Sequence, residues 1–84
     1  MSDITYYVAL PFTEDEAGEP TAGQAEEFQS PGTAIRRAEV LARAPENIGA
    51  VAFSRSGDPM IGEFKDAVVL RSFGQVPGDA SALS

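Results

Sequence analysis

The chain has 84 residues, one domain near the lower end of what folds alone, with 43% hydrophobic residues, no cysteine and no histidine. Those two absences exclude disulfides, thiolate metal sites and the commonest general base, so stability has to come from a single apolar core. The net charge of −7 is unevenly placed: residues 1–35 hold seven acids and no lysine or arginine, and all six basic residues lie between Arg36 and Arg71.

Such an acidic surface repels phosphate backbones, so no nucleic-acid partner is expected. The longest apolar runs, as at residues 67–70, are a few residues long, against about 20 for a membrane span, and the start Met1-Ser2-Asp3-Ile4-Thr5 has no basic and apolar secretory pattern. The expectation is one cytoplasmic domain over residues 1–74, away from membranes, with a flexible tail over 75–84 that carries Pro77 and small residues.

Residues 4–10 are β-branched and aromatic and predict a strand, with Ile4, Tyr6, Val8 and Leu10 on one face and Thr5, Tyr7 and Ala9 on the other. Pro11 cannot donate to a ladder and is expected to end the strand or put it at an edge. Residues 13–23 combine charges with turn formers and predict a loop. A short second strand, paired with the first, is expected within residues 22–29, where Ala25 and Phe28 are the apolar anchors.

A helix follows. Ser30 offers a hydroxyl to a free amide of the first turn, Pro31 suits the first helical position, and residues 33–44 are mostly good helix formers up to the stop at Pro45. At about 100° per residue, Ala34, Ile35, Ala38, Leu41 and Ala42 share one face, with Val40 outside it. Residues 48–54 predict a strand with Val51 and Phe53 on one side and Ala50 and Ala52 on the other. Ser56-Gly57-Asp58-Pro59 predicts a turn, and a last strand within residues 63–73 closes an antiparallel hairpin.

The economical assembly is α+β: a three- to four-stranded antiparallel sheet with one helix packed on one face, in the order β-(β)-α-β-β. One helix shields one face, leaving Tyr7, Ala9, Ala50, Ala52, Val69 and Phe73 as an uncovered apolar surface. That surface predicts a homodimer or another protein partner.

No catalytic, metal-binding or cofactor-binding residues are expected. The acids Glu14-Asp15-Glu16, with Glu19, are too nearly consecutive to converge on a cation, which needs oxygens at alternate positions around a turn. Ser54 and Ser56 lack an adjacent base, with Lys65 the one lysine and nothing to position it, and turn chemistry accounts for the same residues. No phosphate-loop glycine pattern occurs. Arg36, Arg37 and Arg43 fit a solvated helix face that pairs with acids such as Glu39. Tyr6 and Tyr7 lie beside the most acidic segment rather than a positive groove, against a single-strand stacking platform. The leading expectation is a non-catalytic protein-binding or self-assembly module. The opposing class, an enzyme working with carboxylates alone, would need two of Glu26, Glu27, Asp58, Glu63 and Asp66 converging in a cleft.

The segment Ser30-Pro31-Gly32-Thr33-Ala34-Ile35-Arg36-Arg37-Ala38-Glu39, followed by Gly49-Ala50-Val51-Ala52-Phe53-Ser54-Arg55-Ser56-Gly57-Asp58-Pro59, resembles small bacterial proteins of unassigned activity. The run from Tyr6-Tyr7 through a hairpin into a helix with Ala34-Ile35 and Ala38 is also similar to HicB-type antitoxin domains, over roughly residues 4–55. That resemblance implies a small β-rich domain with one helix that occludes a toxin nuclease, here as an acidic inhibitor of a basic partner.

Overall fold

In a computed structural model, which describes residues 3–58 and 60–76, six antiparallel strands and one helix follow one another along the chain. They are β1 (Ile4–Glu14), β2 (Pro20–Ala22), β3 (Glu26–Phe28), α1 (Pro31–Arg43), β4 (Gly49–Asp58), β5 (Glu63–Phe64) and β6 (Val68–Gly74). The mixed class and the single helix are as expected, but the sheet has six strands rather than three or four. The reason is that each flanking rank is interrupted. β2 and β3 both pair with β1, and β5 and β6 both pair with β4, with β1 and β4 running together through nine residue pairs at the centre.

Pro11 neither ends β1 nor puts it at an edge. It sits opposite Ala50 of β4, and on its other side its carbonyl accepts from the Gly23 amide at 2.8 Å. In an antiparallel ladder a residue's N–H and C=O point to the same neighbour, so the missing donor of Pro11 faces the break between β2 and β3. The strand therefore continues to Glu14 and folds back tightly. In that turn the Asp15 carboxylate accepts from the amides of Ala17 and Glu19, both at 2.9 Å, and Gly18 adopts a φ of 80°. Part of the expected loop is thus strand β2.

The helix starts at Pro31 and ends before Ala44, as the prolines dictate. Ser30 has extended cap geometry, yet its hydroxyl caps no amide; its carbonyl accepts from Ala34 at 3.2 Å. The buried stripe is the predicted one: Ala34 and Ala38 are fully buried and Ile35, Leu41 and Ala42 flank them.

The face on which this stripe lies differs from expectation. Ala34 and Ala38 pack against Ala9, Ala50 and Ala52, all five at 0% exposure, with Tyr7, Phe28, Leu70 and Phe73 around them. Side-chain volume explains the choice: alanine against alanine lets helix and sheet approach closely, which leucine, phenylalanine and valine would block. The larger set, Val8, Leu10, Phe12, Val51 and Phe53, forms a second cluster on the opposite side of the curled sheet, joined by Tyr6, Ile48, Ala67 and Val76. Phe12 and Val51 are each only 1% exposed.

Of the six residues expected on an uncovered face, Tyr7, Ala9, Ala50, Ala52 and Phe73 thus lie in the cluster beneath the helix. Val69 parts from them through a β-bulge. Arg71 opposes Ala52 and Val69 opposes Phe53, so one extra β6 residue stands against β4 and the alternation flips. Val69 consequently shares the side of Phe53 and is half exposed.

The expected tail begins at residue 75, but the Gln75 amide donates to the Ile48 carbonyl at 2.9 Å and Val76 packs on the large-residue cluster. Residues 77–84 of that expectation lie outside the described residues.

Candidate functional site

β4 runs as a strand through Asp58, four residues past its expected end. The extension carries Ser56 and Gly57 out of the predicted turn and puts Arg55 on the same side as Phe53 and Val51. There Arg55 faces Tyr6 across the β1–β4 ladder, and Val8 stands opposite both Phe53 and Glu27. Beyond Gly57, Phe64 of β5 closes the group. A side chain at Gly57 would run into the Phe64 ring and the backbone of Glu63, so glycine is what lets β5 lie against β4 here.

These residues line a cleft of about 500 Å³, with Val8 and Phe53 as its floor, Tyr6, Ala25 and Phe64 as apolar walls, and Glu27 and Arg55 as its charged groups. The volume falls within the range of small-molecule sites. The guanidinium carbon of Arg55 lies 5.6 Å from the centre of the Phe64 ring, within cation–π distance. Its Nε is buried without a hydrogen-bond acceptor. A buried donor left unmatched costs about 1–3 kcal/mol.

The buried, unmatched Nε sets Arg55 apart from the other basic side chains among the described residues. Arg37 binds Glu26 through two hydrogen bonds of 3.0 and 3.1 Å, Arg43 binds Glu39 at 3.0 Å, and Lys65 binds Asp3 at 3.2 Å. The Glu26 carboxylate raises the Arg37 pKa above its ordinary value, first through the hydrogen bond and then through its charge. Arg55, like Arg36 and Arg71, takes part in no ion pair among the described residues, although acids outnumber basic residues by thirteen to six.

A second surface lies along the β4–β5 turn and the β5–β6 edge. Met60, Ile61, Phe64, Val68 and Val69 are 86%, 65%, 42%, 60% and 51% exposed, all within ten residues of one another. Single exposed apolar residues are ordinary, but here five gather along one sheet edge, Phe64 and Val69 on the side of Phe53 and Val68, opposite Ser54, on the other. This ribbon is at the opposite edge of the sheet from β2 and β3, where the acidic hairpin lies.

Of the carboxylates considered for an enzyme, Glu26 is held by Arg37, Glu27 borders the cleft, and Asp66 is exposed. Asp58 and Glu63 face each other across β4–β5 and border a shallow recess of about 180 Å³ together with Asp3 and Lys65. Lys65 there is already engaged by Asp3. Among the described residues no group of three or more acids could hold a metal ion. Also among them, no helix is long and apolar enough to cross a membrane.

Arg55, Tyr6 and Phe64 do not stand out as a group in the sequence. The available signal was parity: carried past Ser54, the alternation of Val51 and Phe53 puts a charged residue on the apolar side. Compared with protein-family models, curated proteins and solved structures, the chain finds no match.

Proposed function

We propose that this protein is a non-catalytic binding module that associates with a second copy of itself through the ribbon of Met60, Ile61, Phe64, Val68 and Val69. The observation that carries the reading is the gathering of exposed apolar side chains along one sheet edge. Burying them removes apolar surface from water, at roughly 25 cal/mol per Å² before the costs of association. Charge places one constraint on the contact: Asp58 and Glu63 flank the ribbon, so two copies must meet with these carboxylates at the solvated rim. The acidic β1–β2 hairpin lies at the other edge, so two copies meeting here keep that segment apart. A chain without cysteine suits a reducing compartment, and we place it in the cytoplasm.

Light scattering after size exclusion tests the reading. At high micromolar concentration a particle of twice the chain mass is expected, and a monomer across that range overturns it.

A second reading, an acidic inhibitor of a basic partner, draws on the β1–β2 hairpin. Asp15 is engaged in its own turn, while Glu14, Glu16 and Glu19 remain exposed around it. Capture of a small basic protein from the native host, lost on replacing those three glutamates with glutamine, would favour this reading over self-association.

A further inference from the structure

The cleft on the large-residue side of the sheet has features that self-association through the ribbon does not use. Its floor of Val8 and Phe53 is apolar, and charges of opposite sign stand at its two ends, Glu27 on β3 and Arg55 on β4. The two residues are separated by two strand spacings and by two residues along the strands, which puts their Cα atoms roughly 12 Å apart. They form no ion pair with one another.

A ligand that only fills the apolar floor would leave the buried Nε of Arg55 without an acceptor and the exposed carboxylate of Glu27 unused at its rim. A simple anion would meet Arg55 but also the carboxylate of Glu27, and a simple cation would meet the reverse. From this juxtaposition we propose that the cleft between Glu27 and Arg55 binds a small zwitterion with an apolar body, of which a free apolar dipeptide is the type. Its carboxylate lies on the guanidinium of Arg55, its ammonium group on the carboxylate of Glu27, and its side chains on Val8, Phe53 and the ring of Tyr6. Phe64 stacks on the guanidinium from one side and limits its movement, so part of the ordering cost is met before binding. Each charged end then meets a partner of opposite sign in a site partly walled by aromatic rings, where such contacts are stronger than in open water.

The test is a titration of the full isotope-labelled chain, followed by amide chemical shifts, with leucyl-leucine, its N-acetylated form and its C-terminal amide. Leucyl-leucine is expected to give saturable shifts at Tyr6, Val8, Glu27 and Arg55, with a dissociation constant of about 1 mM or below. Each blocked peptide lacks one charge and is expected to bind at least about tenfold more weakly. Arg55→Gln is expected to abolish the preference for the free carboxylate over the amide, and Glu27→Gln the preference for the free amine over the acetylated form. Should Arg55→Gln fail to fold, the exposed Glu27 position and the blocked peptides on the unaltered chain still decide. The absence of saturable shifts with leucyl-leucine, or equal binding of the free and blocked peptides, overturns the proposal. The two sites share Phe64, but the ribbon has its own test in particle mass, so failure of either is told from failure of the other.

Discussion

Phe64 packs over Gly57, its partner in the β4–β5 ladder, and from that position its ring also reaches the guanidinium of Arg55. A two-residue strand is too short to hold itself in place by backbone pairing, so β5 depends on this one aromatic contact, on the space Gly57 leaves, and on the Lys65 amide donating to Ser56 at 2.7 Å.

Gly57→Ala should therefore dislodge β5. The added methyl group would have to displace both a ring and backbone, and backbone gives way less readily than the end of a side chain. A loss of about 1–3 kcal/mol in urea unfolding is expected, with faster amide exchange at Phe64 and Lys65. Gly32→Ala is the contrasting change, because in the first turn of the helix an added Cβ would meet only the ends of two side chains, Ser30 Oγ at 3.8 Å and Arg36 Nη2 at 4.0 Å, in ordinary contact. That substitution should leave stability unchanged or raise it by up to about 1 kcal/mol.

Phe64→Ala separates the ring from the glycine. It removes the cation–π contact and an aromatic side chain that is 42% exposed, so a loss of about 1 kcal/mol is expected. The fold should persist by amide dispersion, with the largest shift changes at Arg55 and Tyr6. Unchanged shifts at Arg55 would mean that the ring does not hold the guanidinium.

The alanine interface makes a sharper demand. Ala38 is fully buried between α1 and the alanines of β1 and β4. Ala38→Leu would push the helix off the sheet and should destabilise by about 1–3 kcal/mol or prevent folding, whereas Val40→Ala on the exposed side should stay within about 0.5 kcal/mol. Thermal unfolding of the two variants gives the comparison.

The same interface shows what could be read from residues and what could not. The helix ends and its buried stripe were legible because Pro31, Pro45 and the spacing of Ala34, Ile35, Ala38, Leu41 and Ala42 act locally. The face it covers was not, because both faces of β1 and β4 are apolar, and only the depth available to a close-packed helix separates Ala9, Ala50 and Ala52 from Val8, Leu10 and Phe53. Pro11 misled for a related reason: its missing donor matters only where a partner strand is continuous, and here the partner breaks at Gly23. Val69 could not be placed by alternation, since the bulge beside Leu70 and Arg71 leaves no mark in composition. Arg55 fell within a stretch whose glycine, aspartate and proline look like a turn, although the strand continues to Asp58.

The pair Glu26–Arg37 ties β3 to the helix through two hydrogen bonds, but both side chains are substantially exposed. A double-mutant cycle with Glu26→Gln and Arg37→Gln should give a small favourable coupling that shrinks as salt is raised. A larger coupling that resists salt would mean that the pair is shielded from water in solution.

The ribbon makes its own prediction because its residues are exposed in a single copy. Ile61→Lys and Val69→Lys disturb little of the core, and each should leave the unfolding midpoint nearly unchanged. In the proposed twofold contact every added charge appears twice, so either variant should weaken any dimer that the parent chain forms at the same concentration. Val40→Lys is the control, since Val40 is as exposed as Val69 but lies on the outer side of α1. If added charge acts only by altering overall repulsion, the control dissociates the dimer equally and the ribbon loses its role. If the contact is where the apolar residues gather, Val40→Lys leaves the dimer intact. Raising salt should also strengthen association of the parent chain, because screening weakens the repulsion between two copies that each carry a net charge of −7.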